Sequence, residues 1–261
     1  RNGSERFISQ AISSNSISSL YQAYSAPNSS QVFKAIFAGS GDRIAISSKT
    51  PAEWVVISSN NAFQRYNFAT MNGKVLIAGE SFTENVRQYD VANSSQYVLR
   101  DAFAGLNPTV INPRGKYQLV ANNYYLLSNV QVSTESKHLP GLTTYYASRT
   151  LFSILNNYSS MTAERFVDFN QNDGEEITAI GSLTGGSNLI GGDFKTVVDI
   201  FKPSSVGELS FTILDLPSRQ GDYVFSLSAS GVGVLAPKTF VNANGFYAFL
   251  SKSGIILWDK R

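Results

Sequence analysis

The chain has no cysteine and only one histidine, His138. Without cysteine it can form neither a disulfide framework nor a thiolate metal site. With one histidine it cannot build a two-histidine metal site. A Ser-His triad would also need a positioned serine and an orienting carboxylate, and the spacing identifies neither. We therefore interpret His138 as a solvent-facing residue of a loop over residues 136–142.

Charge is also scarce, since Asp, Glu, Lys and Arg make up 15% of the 261 residues and the formal net charge is only +2. Globular chains usually contain roughly 25% charged residues. No basic run is present, whereas proteins that grip nucleic acid usually show a clear basic patch. No apolar run approaches the roughly 18 residues of a membrane-spanning helix. The sequence therefore predicts neither tight nucleic-acid binding nor a membrane span.

Polarity comes instead from 36 Ser and 21 Asn, and apolar surface from aromatic residues that include 17 Phe and 13 Tyr. Serine and asparagine suit turns better than helix interiors, because their side chains compete for backbone hydrogen bonds. Aromatic residues favour strands. This composition predicts an ordered, weakly charged, β-rich protein.

The C-terminal stretch, residues 231–259, shows the strand pattern most clearly. Its apolar runs at 239–241, 246–250 and 255–258 are separated by turn residues rich in Asn, Ser and Gly. Two tight turns in about twenty residues predict an antiparallel meander. Because the runs are apolar almost throughout, we expect both faces of this meander to be covered.

Similar short strands follow one another from Gln31 onwards in groups of about forty residues, and they include predicted strands at 143–147 and 151–155. Turn signals such as Asn72-Gly73 and Asn122-Asn123 separate neighbouring strands. This spacing predicts an all-β chain that forms a β-propeller of five or six blades, with a β-sandwich or jelly roll as the alternative. We expect residues 1–30 to be an N-terminal arm or edge strand and residues 31–261 to be one propeller domain. Pairing of strands near the N terminus with residues 255–258 would close it.

Candidate acid–base and metal-binding carboxylates are Asp168, Asp173, Glu175, Glu176, Asp193 and Asp199. Propeller glycosidases use carboxylate pairs, and Asp168 with Asp173, or Asp193 with Asp199, could converge in that way. Adjacent residues of a strand point to opposite faces, which argues against a shared site for Glu175 and Glu176. Residues 170–176 lack the alternating ligands of a calcium loop and are interpreted as a polar hairpin loop. We therefore predict no catalytic residue, no metal and no cofactor, and no enzyme.

Several segments of the second half occur in an order similar to the blade sequences of one known family. They lie at 149–153, 163–169, 174–180, 188–190, 196–198, 233–239 and 249–255, the last reading FLSKSGI. Over residues 149–259 the chain resembles the propeller-bearing tail proteins of short-tailed bacteriophages, of the nozzle or tail-tube type.

This resemblance implies a structural virion component of the phage tail, assembled in the host cytoplasm. Its partners would be copies of itself in a ring and other tail or connector proteins. DNA would pass through the ring during ejection as cargo, without specific binding. The alternative is a glycan-binding or glycan-cleaving propeller protein. Repeated Trp or Tyr at equivalent blade positions would favour that alternative, but the two tryptophans, Trp54 and Trp258, lie near opposite ends of the sequence.

The arm also contains apolar residues for which the sequence shows no strand partner. These are Phe7, Ile8, Tyr21 and Tyr24. If the chain assembles into a ring, we expect them to contact a neighbouring subunit.

Overall fold

The computed structural model describes residues 12, 14–28, 31–47, 53–59, 65–92, 97–103, 112–136, 139–161, 164–183, 195–212, 223–243 and 245–259. Phe7, Ile8, His138 and Asp193 lie outside these residues. Within them the chain forms nineteen β-strands and one 3-10 turn, η1 (Pro237–Thr239), and no α-helix. The prediction of an all-β chain is confirmed.

The strands form five separate antiparallel sheets, four with four strands and one with three. In every sheet the strands are adjacent in the order in which they follow along the chain. These sheets are the blades of a five-bladed β-propeller, which confirms the predicted fold class and selects five blades over six. A sandwich or jelly roll would instead gather the strands into two larger sheets.

The chain divides into two compact units, residues 1–107 with 114–116 and residues 108–113 with 117–261. The predicted division into an arm, residues 1–30, and a single propeller domain, residues 31–261, stays a prediction.

The first unit contains blades 1 and 2. Blade 1 comprises β1 (Ile17–Asn28), β2 (Gln31–Ser40), β3 (Arg43–Ser47) and β4 (Trp54–Ser58). Blade 2 comprises β5 (Tyr66–Met71), β6 (Lys74–Gly79), β7 (Arg87–Asp90) and β8 (Arg100–Asp101). Their core centres on Phe37, whose ring lies 5.3 Å from that of Tyr89 in an edge contact and 6.0 Å from that of Phe68. These aromatic contacts bury the faces on which the two sheets meet.

Strand β1 is the edge strand of blade 1, one of the two structures predicted for the N-terminal residues. It pairs with β2, placing Tyr21 opposite Phe37 and Tyr24 opposite Lys34. The expectation that these tyrosines lack a strand partner is therefore wrong. The serines around them obscured the strand, because they resemble a turn-forming segment when burial is unknown.

The second unit contains blades 3, 4 and 5. Blade 3 comprises β9 (Asn112–Ala121), β10 (Tyr124–Ser136), β11 (Leu139–Phe152) and β12 (Phe166–Asp168). Blade 4 comprises β13 (Ala179–Gly181), β14 (Lys195–Phe201), β15 (Ser205–Thr212) and β16 (Tyr223–Ser230), and blade 5 comprises β17 (Val241–Asn242), β18 (Tyr247–Ser251) and β19 (Gly254–Trp258). Phe211 stacks on Tyr124 at 4.3 Å, and Phe201 meets Tyr247 edge-on at 5.3 Å. Aromatic contacts thus fill both core clusters of this unit.

Predicted turns are confirmed where asparagine and glycine adopt positive φ. Asn72 and Gly73, at φ 52° and 73°, join β5 to β6. Asn122 and Asn123, at φ 40° and 63°, join β9 to β10 in the same manner. Two successive left-handed residues match the twist of a tight hairpin, which explains why these turns were identifiable from sequence.

Several predicted strand boundaries were wrong. Residues 143–147 and 151–155 were expected to be two strands with a loop before them, yet one long strand, β11, runs through Phe152. Part of the predicted run 239–241 is the 3-10 turn η1, because Pro237 fixes φ at the first position of that turn. Long-range pairing decides such boundaries, and local composition does not record it.

Blade 5 is the three-stranded meander that the C-terminal turns predicted, in the order β17-β18-β19. The expectation that both faces of this meander are covered is wrong for one face, since the side chains of Ile255 and Leu257 are 80% and 70% exposed. Among the described strands, β19 pairs only with β18. The predicted pairing of residues 255–258 with strands near the N terminus is therefore not found in the described residues. The run looks uniformly apolar in sequence, but strand alternation turns only one side of β19 toward the core.

We predict that Gly233 tolerates no side chain. A methyl group there would overlap the carbonyl oxygen of Lys202 and lie 2.7 Å from the carbonyl carbon of Pro203, both rigid backbone atoms. Gly233→Ala should lower the free energy of unfolding by about 2 to 3 kcal/mol in urea titrations. The control is Gly231→Ala, where space is open but φ is +80°, and about 1 kcal/mol is expected. An equal or smaller loss for Gly233→Ala would contradict the close approach.

We also predict opposite behaviour for two buried tyrosines at neutral pH. The Tyr89 hydroxyl is buried without a hydrogen-bond partner among the described residues, so Tyr89→Phe should leave stability unchanged or slightly increased. The Tyr247 hydroxyl donates to Asp199 Oδ2 at 2.9 Å, so Tyr247→Phe should cost about 1 to 3 kcal/mol. Chemical denaturation at pH 7 distinguishes the two, and equal losses would show that Tyr89 is bonded.

The same Tyr89 variant should flatten the alkaline stability profile. Burial, reinforced by the nearby Tyr97 and Asp90, raises the pKa of Tyr89 from 10.0 to about 12. Between these values the unfolded chain loses the phenol proton while the folded chain keeps it. Stability therefore falls as pH rises, by up to about 1.4 kcal/mol per pH unit for this group. Tyr89→Phe removes that contribution, and an unchanged slope from pH 10 to 12 would refute the assignment.

Candidate functional site

Asp168, one of the candidate acids, is held by an arginine. Arg149 on β11 donates from Nε to Asp168 Oδ1 at 2.8 Å and from Nη2 to Oδ2 at 2.6 Å. The guanidinium also lies between the rings of Tyr146 and Phe166, at 3.9 and 3.8 Å from their centroids. Hydrogen bonding to Asp168 raises the pKa of Arg149 above its ordinary value. Both carboxylate oxygens face a fixed cation, an arrangement suited to joining β11 to β12.

Asp173 is bound to a different cation, the buried ammonium of Lys202. Lys202 Nζ lies 2.8 and 3.0 Å from the two Asp173 oxygens. It also donates to Ser148 Oγ at 3.0 Å and to the carbonyl oxygen of Asn170 at 2.9 Å. An ammonium has three protons, so these acceptors use its full donor capacity. Sequence reasoning did not single out Lys202, because a lone lysine before a proline looks like an ordinary turn residue.

The structure does not bring Asp168 and Asp173 together as an acid–base pair, because each is bound to its own cation. For the second candidate pair, Asp193 lies outside the described residues. Asp199 accepts a hydrogen bond from Tyr247 at 2.9 Å in the core. Burial, with Asp199 nearby, raises the pKa of Tyr247 far above its ordinary value, so that phenol remains a neutral donor.

Glu175 and Glu176 bind different partners, as the argument against a shared site requires. Glu175 Oε2 accepts from the backbone nitrogen of Ser204 at 3.1 Å and from its hydroxyl at 2.6 Å. Glu176 Oε2 accepts from Asn129 Nδ2 at 2.8 Å. The two glutamates follow a turn and do not lie in a strand.

The segment 170–176 is polar, as predicted, but it is not a hairpin loop, because it joins β12 of blade 3 to β13 of blade 4. Asn170 and Gly174 have φ of 44° and 74°, and the backbone nitrogen of Glu175 donates to Asp173 Oδ1 at 2.9 Å. Its carboxylates are directed to Lys202, Ser204 and Asn129 and do not converge on one point. In the described ranges, no group of three or more Asp, Glu or His side chains is placed to hold a metal ion.

Three edge strands, one each in blades 1, 4 and 5, present apolar side chains to solvent. They are β1, β16 and β19, which we call the uncharged edges. None contains Asp, Glu, Lys or Arg, which is also true of the edge strands β4, β5, β13 and β17. On β16, Val224 and Leu227 are exposed, and on β19 so are Ile255 and Leu257. Soluble proteins usually protect strand edges with charges, because an open edge recruits other chains.

The predicted interface tyrosines on β1 differ in what they contact. Tyr21 stacks on Phe68 at 5.7 Å and its hydroxyl lies 2.8 Å from Thr70 Oγ1, so it joins blade 1 to blade 2. Tyr24 is 55% exposed, beside the more exposed Leu20. Tyr24 therefore remains accessible to a partner, whereas most of the Tyr21 ring is used inside the first unit.

The two tryptophans contribute to the cores of their own units. Trp54 packs against a cluster formed by Ile12, Ala38 and Ala45. Trp258 packs against the cluster that contains Tyr247 and Phe249. Neither forms the exposed platform that a sugar ring would stack on.

No family model and no curated protein matches the chain. Its structure is similar to a chain in the crystal structure of BBS1N in complex with ARL6DN, with 11% identity, a TM-score of 0.46, and coverage of 95% of this chain and 66% of that one. It is also similar to prolyl oligopeptidase B from Galerina marginata, with 10% identity, a TM-score of 0.37, and coverage of 91% and 36%.

The chain thus spans less than two thirds of both solved structures. In the described ranges, no helix is long and apolar enough to cross a membrane.

We predict that Lys202 and Asp173 depend on each other. Asp173→Asn leaves a fully buried ammonium without its counter-charge, which should cost about 2 to 3 kcal/mol. This is below the usual loss for a buried pair because the Asp173 side chain is 30% exposed. The double variant Asp173→Asn with Lys202→Met buries no charge and should be more stable than Asp173→Asn alone.

The matched control for this pair is Asn172→Ala, an exposed change in the same turn, which should stay within about 0.5 kcal/mol of the parent. All variants are compared by urea unfolding. A double variant no more stable than Asp173→Asn would show that the buried charge is not the cause.

Proposed function

We propose that this chain is a structural virion component, similar to the nozzle, tube or head–tail connection proteins of short-tailed phage tails. Several copies would form part of a ring through which DNA is ejected. The observation that carries the proposal is the set of uncharged edges on β1, β16 and β19. The resemblance of residues 149–259 to nozzle-type blades supports it.

The uncharged edges favour an assembly because each combines open backbone groups with exposed apolar side chains. A neighbouring subunit can add hydrogen bonds along such an edge and bury its apolar residues at the same time. Ile255 and Leu257 project from the same side of β19, and Leu20 and Tyr24 share one side of β1. Partners would be copies of the chain and other tail or connector proteins.

A non-enzymatic role is supported by how the candidate carboxylates are used. Asp168, Asp173, Glu175 and Glu176 each bind a partner that connects strands or turns of the second unit. A general acid or base must instead present its carboxyl group to a substrate. These contacts suit a rigid scaffold.

Low charge suits the proposed passage of DNA. Tight phosphate binding requires many Lys and Arg contacts and would hold back a genome that must slide. A net charge of +2 allows DNA to pass as cargo. The proposed location is the virion, after assembly in the host cytoplasm.

The experiment measures assembly with and without one uncharged edge. We expect the parent chain to form closed rings with an open centre, detected by native mass spectrometry and electron microscopy at low salt. Ile255→Lys with Leu257→Lys should yield smaller species or monomers, because charge on an edge opposes pairing. Since both positions are exposed, the melting temperature should change little.

The control for this experiment is Leu155→Lys, which changes an exposed apolar residue on a turn. It should assemble like the parent chain. A parent that stays monomeric at all concentrations and is absent from virions would refute the proposal.

A further inference from the structure

The first unit contains a cleft of about 670 Å³, a size within the range of small-molecule sites. Its lining includes three arginines, Arg87, Arg100 and Arg114, and two carboxylates, Glu84 and Asp101. Arg114 groups with the first unit, as do all the other lining residues. None of these residues contributes to the uncharged edges, so the cleft is a feature that the proposed function does not use.

The arginines of the cleft are not neutralised equally. Arg87 Nη2 lies 3.0 Å from Glu84 Oε2, which compensates its charge. Arg114 donates to two neutral oxygens, Asn85 Oδ1 at 3.0 Å and the carbonyl of Phe82 at 2.7 Å. Arg100 is exposed, and its side chain has no hydrogen bond or ion pair with any described residue. Two guanidinium groups therefore retain uncompensated charge beside one cavity.

The polar wall of the cleft is held in place before any ligand arrives. Asn85 accepts from Arg114 and donates to Asp101 Oδ2 at 2.7 Å. Asp101 Oδ1 accepts from the backbone nitrogen of Phe103 at 3.0 Å. Both oxygens of Asp101 are thus engaged, and Arg114 is oriented by fixed acceptors. Such preorganisation lowers the entropy cost of binding.

Another part of the lining is apolar and includes one strained residue. Tyr97, Val98 and Leu99 line the cleft together with Ile57. Tyr97 and Val98 are exposed, and Tyr97 has φ of 45°, a left-handed conformation that bulky residues rarely adopt. Strain of this kind is concentrated at ligand-binding segments. The cleft therefore combines an apolar wall with uncompensated cations.

We propose that this cleft binds a small ligand that carries a carboxylate or phosphate group next to an apolar or ring-shaped part. The oxyanion contacts Arg100 and Arg114, because guanidinium groups match the planar geometry of carboxylate and phosphate oxygens. The ring-shaped part lies against Tyr97 and Val98. Glu84 and Asp101 are occupied by Arg87 and Asn85, so they do not compete for the arginines that receive the ligand.

The test is calorimetric titration of the purified full chain at low salt with three probes. Glucuronate carries a carboxylate, glucose 6-phosphate carries a phosphate, and glucose is the neutral control. We expect at least one of the two anions to bind with a dissociation constant of about 1 mM or tighter, and glucose not to bind. Arg100→Gln should weaken anion binding about tenfold, as for loss of one charge-assisted contact. Because the Arg100 side chain has no partner among the described residues, this variant should fold like the parent.

The matched control is Arg43→Gln, an arginine of the same unit that does not line the cleft; it should leave anion binding unchanged. Binding of glucuronate alone assigns a carboxylate ligand, binding of glucose 6-phosphate alone assigns a phosphate ligand, and binding of both supports the shared chemistry. Failure of both anions to bind, equal binding of glucose, or unchanged affinity in Arg100→Gln would overturn the proposal. Ring assembly does not depend on Arg100, so this result and the assembly result are independent.

Discussion

The buried ammonium of Lys202 holds together parts of the second unit that are distant in sequence. Its side chain reaches Ser148 on β11 and the turn that carries Asn170 and Asp173. The Lys202 carbonyl oxygen accepts from the backbone nitrogen of Val234, in the segment that leads to blade 5. An unpaired charge at this depth would be strongly destabilising, so all these groups must be correctly placed together. One residue thereby connects blades 3 and 4 with the segment that leads to blade 5.

The other polar contacts of the second unit follow the same principle. Arg149 with Asp168, and Glu175 with Ser204, each join strands or turns whose sheets are too small to be stable alone. These partly buried groups are satisfied as pairs, while aromatic contacts such as Phe211 with Tyr124 fill the core of the same unit. Carboxylates that look catalytic in sequence are therefore part of the scaffold.

Charged residues are distributed unevenly among the strands. In the described parts of the chain, Arg149 and Asp168 join two strands of blade 3, and Lys202 joins blade 4 to Asp173 in the turn after blade 3, whereas β1, β16 and β19 have no charged residue. This leaves the uncharged edges open to neighbouring subunits, in keeping with the proposed assembly. The arginine cleft of the first unit is the exception, because Arg100 and Arg114 keep charge that no neighbouring carboxylate compensates. Assembly and ligand binding would then use separate surfaces of one propeller.

The sequence by itself determined the fold class and the tight turns, because these depend on local chemistry. Asn72-Gly73 and Asn122-Asn123 adopt positive φ for reasons internal to each residue pair. Only the tertiary structure decided which groups meet: Lys202 with Asp173, Arg114 with Asn85, and β1 with β2. It also decided that Ile255 and Leu257 face solvent although their run looks buried. Contacts between residues tens of positions apart depend on how sheets pack, and no short window of sequence records that packing.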